Sequence, residues 1–105
     1  MSSKALWEIL VPAQSPEGSQ FDEAYHKVWD DEVKVIAGGL TVMKPGKGTW
    51  ISPDGGTFRE PMIPVRVWCD HSDIMVIANL TAKMYDQRSI MLYKLSDLVI
   101  VKNYD

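Results

Sequence analysis

Histidine is the side chain best suited to moving protons near neutral pH, and this chain has two, His26 and His71. His26 precedes Asp30 by one helical turn. That spacing lets a carboxylate orient an imidazole as a general base, or simply pair with it at the rim of a helix. His71 lies between Asp70 and Ser72, where a helix begins, and reads as a loop or capping neighbour. Without E-x-x-H or H-x-H spacing, two histidines do not make a metal centre. No G-x-S-x-G elbow surrounds a serine, and Asp30-Asp31-Glu32 reads as a wetted helix face. Cys69 is the single cysteine, which rules out an intrachain disulfide or a thiolate metal cluster; within VRVWCD it reads as a buried, reduced thiol.

A second set of residues suits binding better than catalysis. The chain carries four tryptophans and four tyrosines. Most such rings serve packing. Yet Trp50, Arg59, Glu60, Arg66, Trp68, Tyr85, Gln87 and Arg88 combine flat rings with forked donors, a set able to stack a ring and pair an anion. Arg66 falls mid-strand on the Met62/Trp68 side, and a guanidinium on a covered face needs a partner. Glu8, Glu60 or a ligand would serve. Trp50, Arg59, Arg66, Trp68, Tyr85 and Arg88 are therefore the expected ligand contacts, while His26 and Tyr85 are the candidates for proton transfer.

The stretch AGGLTVMKPGKGTWISPDGG, residues 37–56, holds six of the seven glycines. A phosphate cradle needs Gly, four residues, then Gly-Lys-Ser/Thr; here Gly46-Lys47 is followed by Gly48 and preceded at the critical position by Thr41. The dinucleotide pattern fails because glycine is required where Ile51 stands. The stretch also joins strands instead of opening a helix, so no helix dipole is available to a phosphate. It reads as turns.

Around these residues the elements follow in order. ALWEILVP (5–12) is a strand stopped by Pro12, and AQSPEGSQ is a loop. Phe21, Tyr25, Val28, Trp29, Val33 and Ile36 recur at helical spacing, with Ser19 expected to cap and Gly38-Gly39 to stop the helix. LTVM and TWIS are expected to pair with each other, PDGG to form a hairpin turn, and TFRE to begin a short strand. MIPVRVWCD alternates as a strand in which Pro64 suggests an edge or an irregularity. Ser72 opens a second helix with the stripe Ile74, Ile77, Leu80 and Met84, and SIMLYKL and LVIVKNY close the chain as two strands. The plan predicts a single α+β domain over 1–105, ferredoxin-like, with one mainly antiparallel sheet and two helices on one face.

Two helices cover one sheet face, and the other should then alternate to polar residues. LWEILV, IMLYKL and LVIVKN do not. A patch so apolar is expected to be covered by another copy, making a homo-oligomer, dimer-based. With 11 basic against 14 acidic residues and a net charge of −3, nothing draws the chain to duplex nucleic acid. No apolar run of about 18 residues and no signal peptide is present, so a cytoplasmic protein without membrane partner is expected. No cofactor is implied.

GGLTV, GTWISPDGG, REPMIPV and YDQRSIMLYKLSD together resemble a group of short phage and bacterial proteins over roughly residues 20–101. That group has a G-L-T strand, a G-x-W strand, a Pro-Asp-Gly turn, a Glu before the long strand and a Tyr-x-Gln-x-Ser-Ile segment. The resemblance implies a ferredoxin-like or dimeric α+β-barrel domain and transfers no activity. Its phage context suggests a protein that traps a nucleotide-like immune signal of the host. The expected function is thus non-enzymatic binding of a small anionic ligand. The alternatives are a cofactor-free isomerase, lyase or oxygenase using His26 or Tyr85, and a protein-binding inhibitor module.

Overall fold

The computed structural model describes residues 3–51, 55 and 57–104; at Trp50, Thr57, Phe58 and Arg59 only the backbone is described. Strand β1 (Ala5–Pro12) leads to helix α1 (Glu23–Ala37), followed by strands β2 (Thr41–Val42), β3 (Gly46–Ile51) and β4 (Thr57–Cys69). Helix α2 (His71–Met84) and strand β5 (Leu92–Ser96) complete the order. The strands lie β2–β4–β1–β5, all antiparallel, and β3 pairs with the first half of β4. This is the ferredoxin-like plan that the element order predicts.

Several local expectations change. Asp22, not Ser19, caps α1 through a hydrogen bond from the Tyr25 amide at 2.8 Å. Asp70, not Ser72, caps α2 by accepting from the Asp73 amide at 2.9 Å. Asp22 stands next to the first turn of α1 where Ser19 does not, whereas α2 begins at His71, which puts Ser72 inside the helix and leaves Asp70 at the cap. Gly38 ends α1 at φ 87°, a left-handed conformation that favours glycine. β2 and β3 do not pair with each other: both use β4, which runs unbroken through Pro61 instead of starting after it. The expected PDGG turn falls largely outside the described residues, but Ile51 opposite Thr57 closes a β3–β4 hairpin around it.

Pro64 sits in an interior strand, not at an edge. Leu10 gives its amide to Met91 at 3.0 Å, so the Leu10–Pro64 pair shares no hydrogen bond across β1 and β4. The missing proline N–H therefore costs nothing on that side, while the Pro64 carbonyl accepts from Met43 at 2.8 Å.

Register assigns the faces. Trp7, Ile9 and Val11 of β1 share one with Val65, Val67 and Cys69 of β4, and all are buried under the helices. Trp29 and Val33 of α1 and Ile74, Ile77 and Thr81 of α2 close that core. Val28, expected in the stripe, is instead exposed. Cys69 is buried, and burial pushes its thiol up to about 11, keeping it protonated and unreactive. Residues 97–104 do not form the expected final strand: Leu98, Ile100, Val101 and Tyr104 lie exposed. Nothing among the described residues pairs with that segment as a strand.

Candidate functional site

The open sheet face is built by the residues that alternate with the core. Leu6, Glu8 and Leu10 of β1 lie opposite Trp68, Arg66 and Pro64 of β4, and β5 sets Tyr93 beside Glu8. Thr41 of β2 pairs with Arg66, so Thr41, Arg66, Glu8 and Tyr93 form one row across four strands. Apolar side chains bound the row on both sides. Trp68, Tyr93 and Leu95 remain 38–40% exposed, and Met91 62%.

Glu8 is the one buried acid among the described residues, 8% exposed. Arg66 Nε donates to its Oε1 at 3.1 Å, and the Tyr93 hydroxyl donates to its Oε2. The hydrogen bond to Glu8, with burial and the adjacent negative charge, holds the Tyr93 phenol above its usual range. Both carboxylate oxygens are thus engaged. Arg66, by contrast, uses only Nε: its two terminal amino groups have no partner among the described residues, and its side chain is 43% exposed. The row presents forked donors, fixed by a buried acid, at the centre of a greasy surface. Such an arrangement suits a small anion more than proton transfer.

The predicted contacts divide between two layers. Arg66 and Trp68 share the open face, and the Lys4 ammonium lies 4.7 Å from the Trp68 ring centre. The side chains of Trp50 and Arg59 lie outside the described residues; at the far end of the β3–β4 hairpin Trp50 pairs with Phe58 and Arg59 with Thr49. Arg88 is exposed in the α2–β5 connection, which enters β5 beside Leu10, opposite the Trp68 end. Tyr85 is fully buried on the helix side, away from Arg66. Among the four whose side chains are described, the chain brings two together, Arg66 and Trp68. Tyr93 carries no signal in the sequence, since only the β1–β5 register reveals it; of the two acids expected as internal partners of Arg66, Glu8 and Glu60, Glu8 is the one it meets.

The two proton-transfer candidates do meet. His26 Nδ1 lies 2.7 Å from the Tyr85 hydroxyl, replacing the expected pairing with Asp30. The Tyr85 and Phe21 rings pack around the imidazole. Burial lowers the His26 pKa below its ordinary 6.5, against the pull of Asp30 and Asp22. Burial likewise raises Tyr85. The unfolded chain binds a proton near pH 6.5 that the folded chain resists, so the stability held above that pH declines below it. Denaturant unfolding at about pH 7.5 and 5.5 should show the drop, at most ~1.4 kcal/mol per pH unit, and His26→Gln should flatten it. Asp30, raised by burial from 3.8, acts with the opposite sign and at lower pH.

No protein-family model matches the chain, and neither does any curated protein sequence. Solved structures do. A phage SAM lyase in complex with S-methyl-5'-thioadenosine superposes with TM-score 0.67 at 9% identity, over 92% of this chain and 84% of that one. The divalent cation tolerance protein CutA1 of Thermus thermophilus gives 0.64 at 9% identity, over 96% and 87%. The periplasmic CutA of Archaeoglobus fulgidus gives 0.62 at 10%, over 96% and 87%. The likeness is one of fold. Among the described residues no three His, Cys, Asp or Glu side chains converge as a metal site would need. No helix among them is long and apolar enough to cross a membrane.

Proposed function

We propose that this chain is a homo-oligomeric, non-enzymatic binding protein that holds a small anionic, nucleotide-like ligand on its open sheet face, with a second subunit closing over it. The observation that carries this is the Glu8–Arg66–Tyr93 row, a polar centre with unused guanidinium donors inside an apolar face. Without a cover, the Arg66 side of this ion pair stays open to water, which screens it. Under a partner it becomes an orienting element for charge.

Two further facts support the reading. Leu98, Ile100, Val101 and Tyr104 of the segment 97–104 lie exposed among the described residues, and a neighbouring copy would offer them cover. A phage protein of the same fold holds a thioadenosine nucleoside, so the fold accommodates a ligand of that size. The same likeness suits a phage-encoded protein working in the host cytoplasm, sequestering a nucleotide signal of host defence. Arg66 and Trp68 would supply charge and stacking, with Trp50, Arg59 and Arg88 arriving from the same or a neighbouring subunit.

Titration calorimetry against cyclic nucleotides and nucleoside monophosphates, with S-methyl-5'-thioadenosine as the uncharged control, tests it. Binding of a phosphate-bearing member, weakened at least tenfold by Arg66→Ala, is the expected result. No heat with any member would remove the proposal.

The His26–Tyr85 hydrogen bond favours a second reading, a cofactor-free isomerase, lyase or oxygenase in which that pair handles a proton. It predicts that a bound ligand is recovered chemically changed, and that His26→Ala stops turnover while leaving binding intact.

A further inference from the structure

A cleft of about 450 Å³ opens between α1 and strands β2 and β4, on the opposite side of the sheet from the Arg66 row. Its floor is apolar, with Trp29, Val42, Ile63 and Val65, and His26 and Asp30 stand along one wall. The volume falls within the range of small-molecule sites.

Both polar groups on that wall have defined hydrogen-bonding roles. Tyr85 is fully buried, and among the described residues its hydroxyl meets only His26 Nδ1, at 2.7 Å. Were the phenol to accept there, its own proton would be stranded in the core, a cost well above that of the alternative. The phenol therefore donates, Nδ1 accepts, and the neutral ring carries its proton on Nε2. That N–H has no acceptor among the described residues. One turn on, Asp30 is half-buried and makes no hydrogen bond or ion pair among them, because Lys27 and Lys34 both engage Asp31, at 3.2 and 3.8 Å. The cleft, whose rim also carries Glu23, Lys27, Asp31 and Lys34, thus sets one fixed donor and one unsatisfied acceptor beside an apolar floor.

We infer that this cleft is a second small-molecule site, taking a planar heterocycle that presents a hydrogen-bond acceptor beside an exocyclic amino donor, the amidine edge of an aminopurine or a like ring. The ring lies on the apolar floor, its acceptor nitrogen takes the His26 Nε2–H, and its amino group donates to Asp30. Burial raises the Asp30 pKa, in keeping with a carboxyl short of donors. The site stands independently of the open-face reading, since it uses none of the same residues.

Nuclear magnetic resonance titration with adenine, purine and N6,N6-dimethyladenine tests it. Adenine should shift His26, Asp30, Val42 and Val65 saturably. Purine and the dimethyl compound, which lack the donor, should bind about five- to tenfold more weakly. Asp30→Ala should abolish that difference. Tyr85→Phe, if it folds, should weaken adenine by a similar factor by freeing the imidazole tautomer. The ring nitrogen shifts of His26 should report a proton on Nε2. The inference is overturned if those shifts place the proton on Nδ1, if the three compounds bind alike, if adenine perturbs only the open face, or if nothing moves by about 5 mM, weaker than any useful site.

Discussion

An Arg66→Leu variant should lose about 1–3 kcal/mol of stability, and a Glu8→Leu/Arg66→Leu double variant should regain most of it while binding no ligand. The single change leaves a carboxylate at 8% exposure with only the Tyr93 hydroxyl for company. Stranding a buried charge costs about 3–5 kcal/mol in a dry site, and the lower figure applies because Arg66 is 43% exposed and water reaches its side of the pair. In the double variant no charge remains to desolvate, the leucines extend the surface of Leu6 and Leu10, and Tyr93 is exposed enough to bond water. Urea unfolding of the two variants beside calorimetry with the phosphate-bearing ligand separates the roles. If the double variant were as unstable as the single, the row would owe its stability to packing, not to charge pairing.

Trp29→Ala should cost about 3–5 kcal/mol, the range for removing a buried aromatic side chain. Trp29 is 1% exposed at the crossing of the two helices, and its indole N–H donates to Thr81 Oγ1 at 2.9 Å. The Thr81 hydroxyl in turn donates to the Ile77 carbonyl at 2.6 Å, so truncating the indole orphans neither group. The loss is one of cavity and contact. A domain of this length holds about 5–15 kcal/mol in all, so the variant should sit near its unfolding limit at room temperature. Its apparent stability should then climb with protein concentration, as mass action requires when assembly holds the fold. Thr81→Val should cost less, about 1–3 kcal/mol, by leaving the buried indole N–H unpaired.

The sheet's two-sided apolar pattern was legible because period-2 alternation in LWEILV and MIPVRVWCD exposes which residues share a face. The same pattern showed that Arg66 needs a partner and left Glu8, Glu60 or a ligand to supply it; the β1–β4 register decides for Glu8. Three things were out of reach. β2 and β3 sharing β4 depends on that strand reaching back through Pro61 to Thr57, and Pro61 masks its continuity. The Glu8–Tyr93 contact requires the β1–β5 register, which a bulge between Leu6 and Trp7 shifts. The His26–Tyr85 contact joins residues 59 apart through helix packing, and i+4 spacing pointed to Asp30 instead. LVIVKNY has strand composition, yet among the described residues it pairs with nothing, although β5 ends the sheet with one edge open. A second copy is where a partner strand would come from.

Everything about the open face turns on whether a second subunit covers it. Native mass spectrometry of freshly purified protein reports this directly. The account predicts a multiple of the 11.9 kDa subunit, collapsing to single subunits on Trp68→Asp, which buries a charge in the centre of the interface. A well-behaved 11.9 kDa monomer at about 100 μM, where any interface of standard size would be filled, would contradict it.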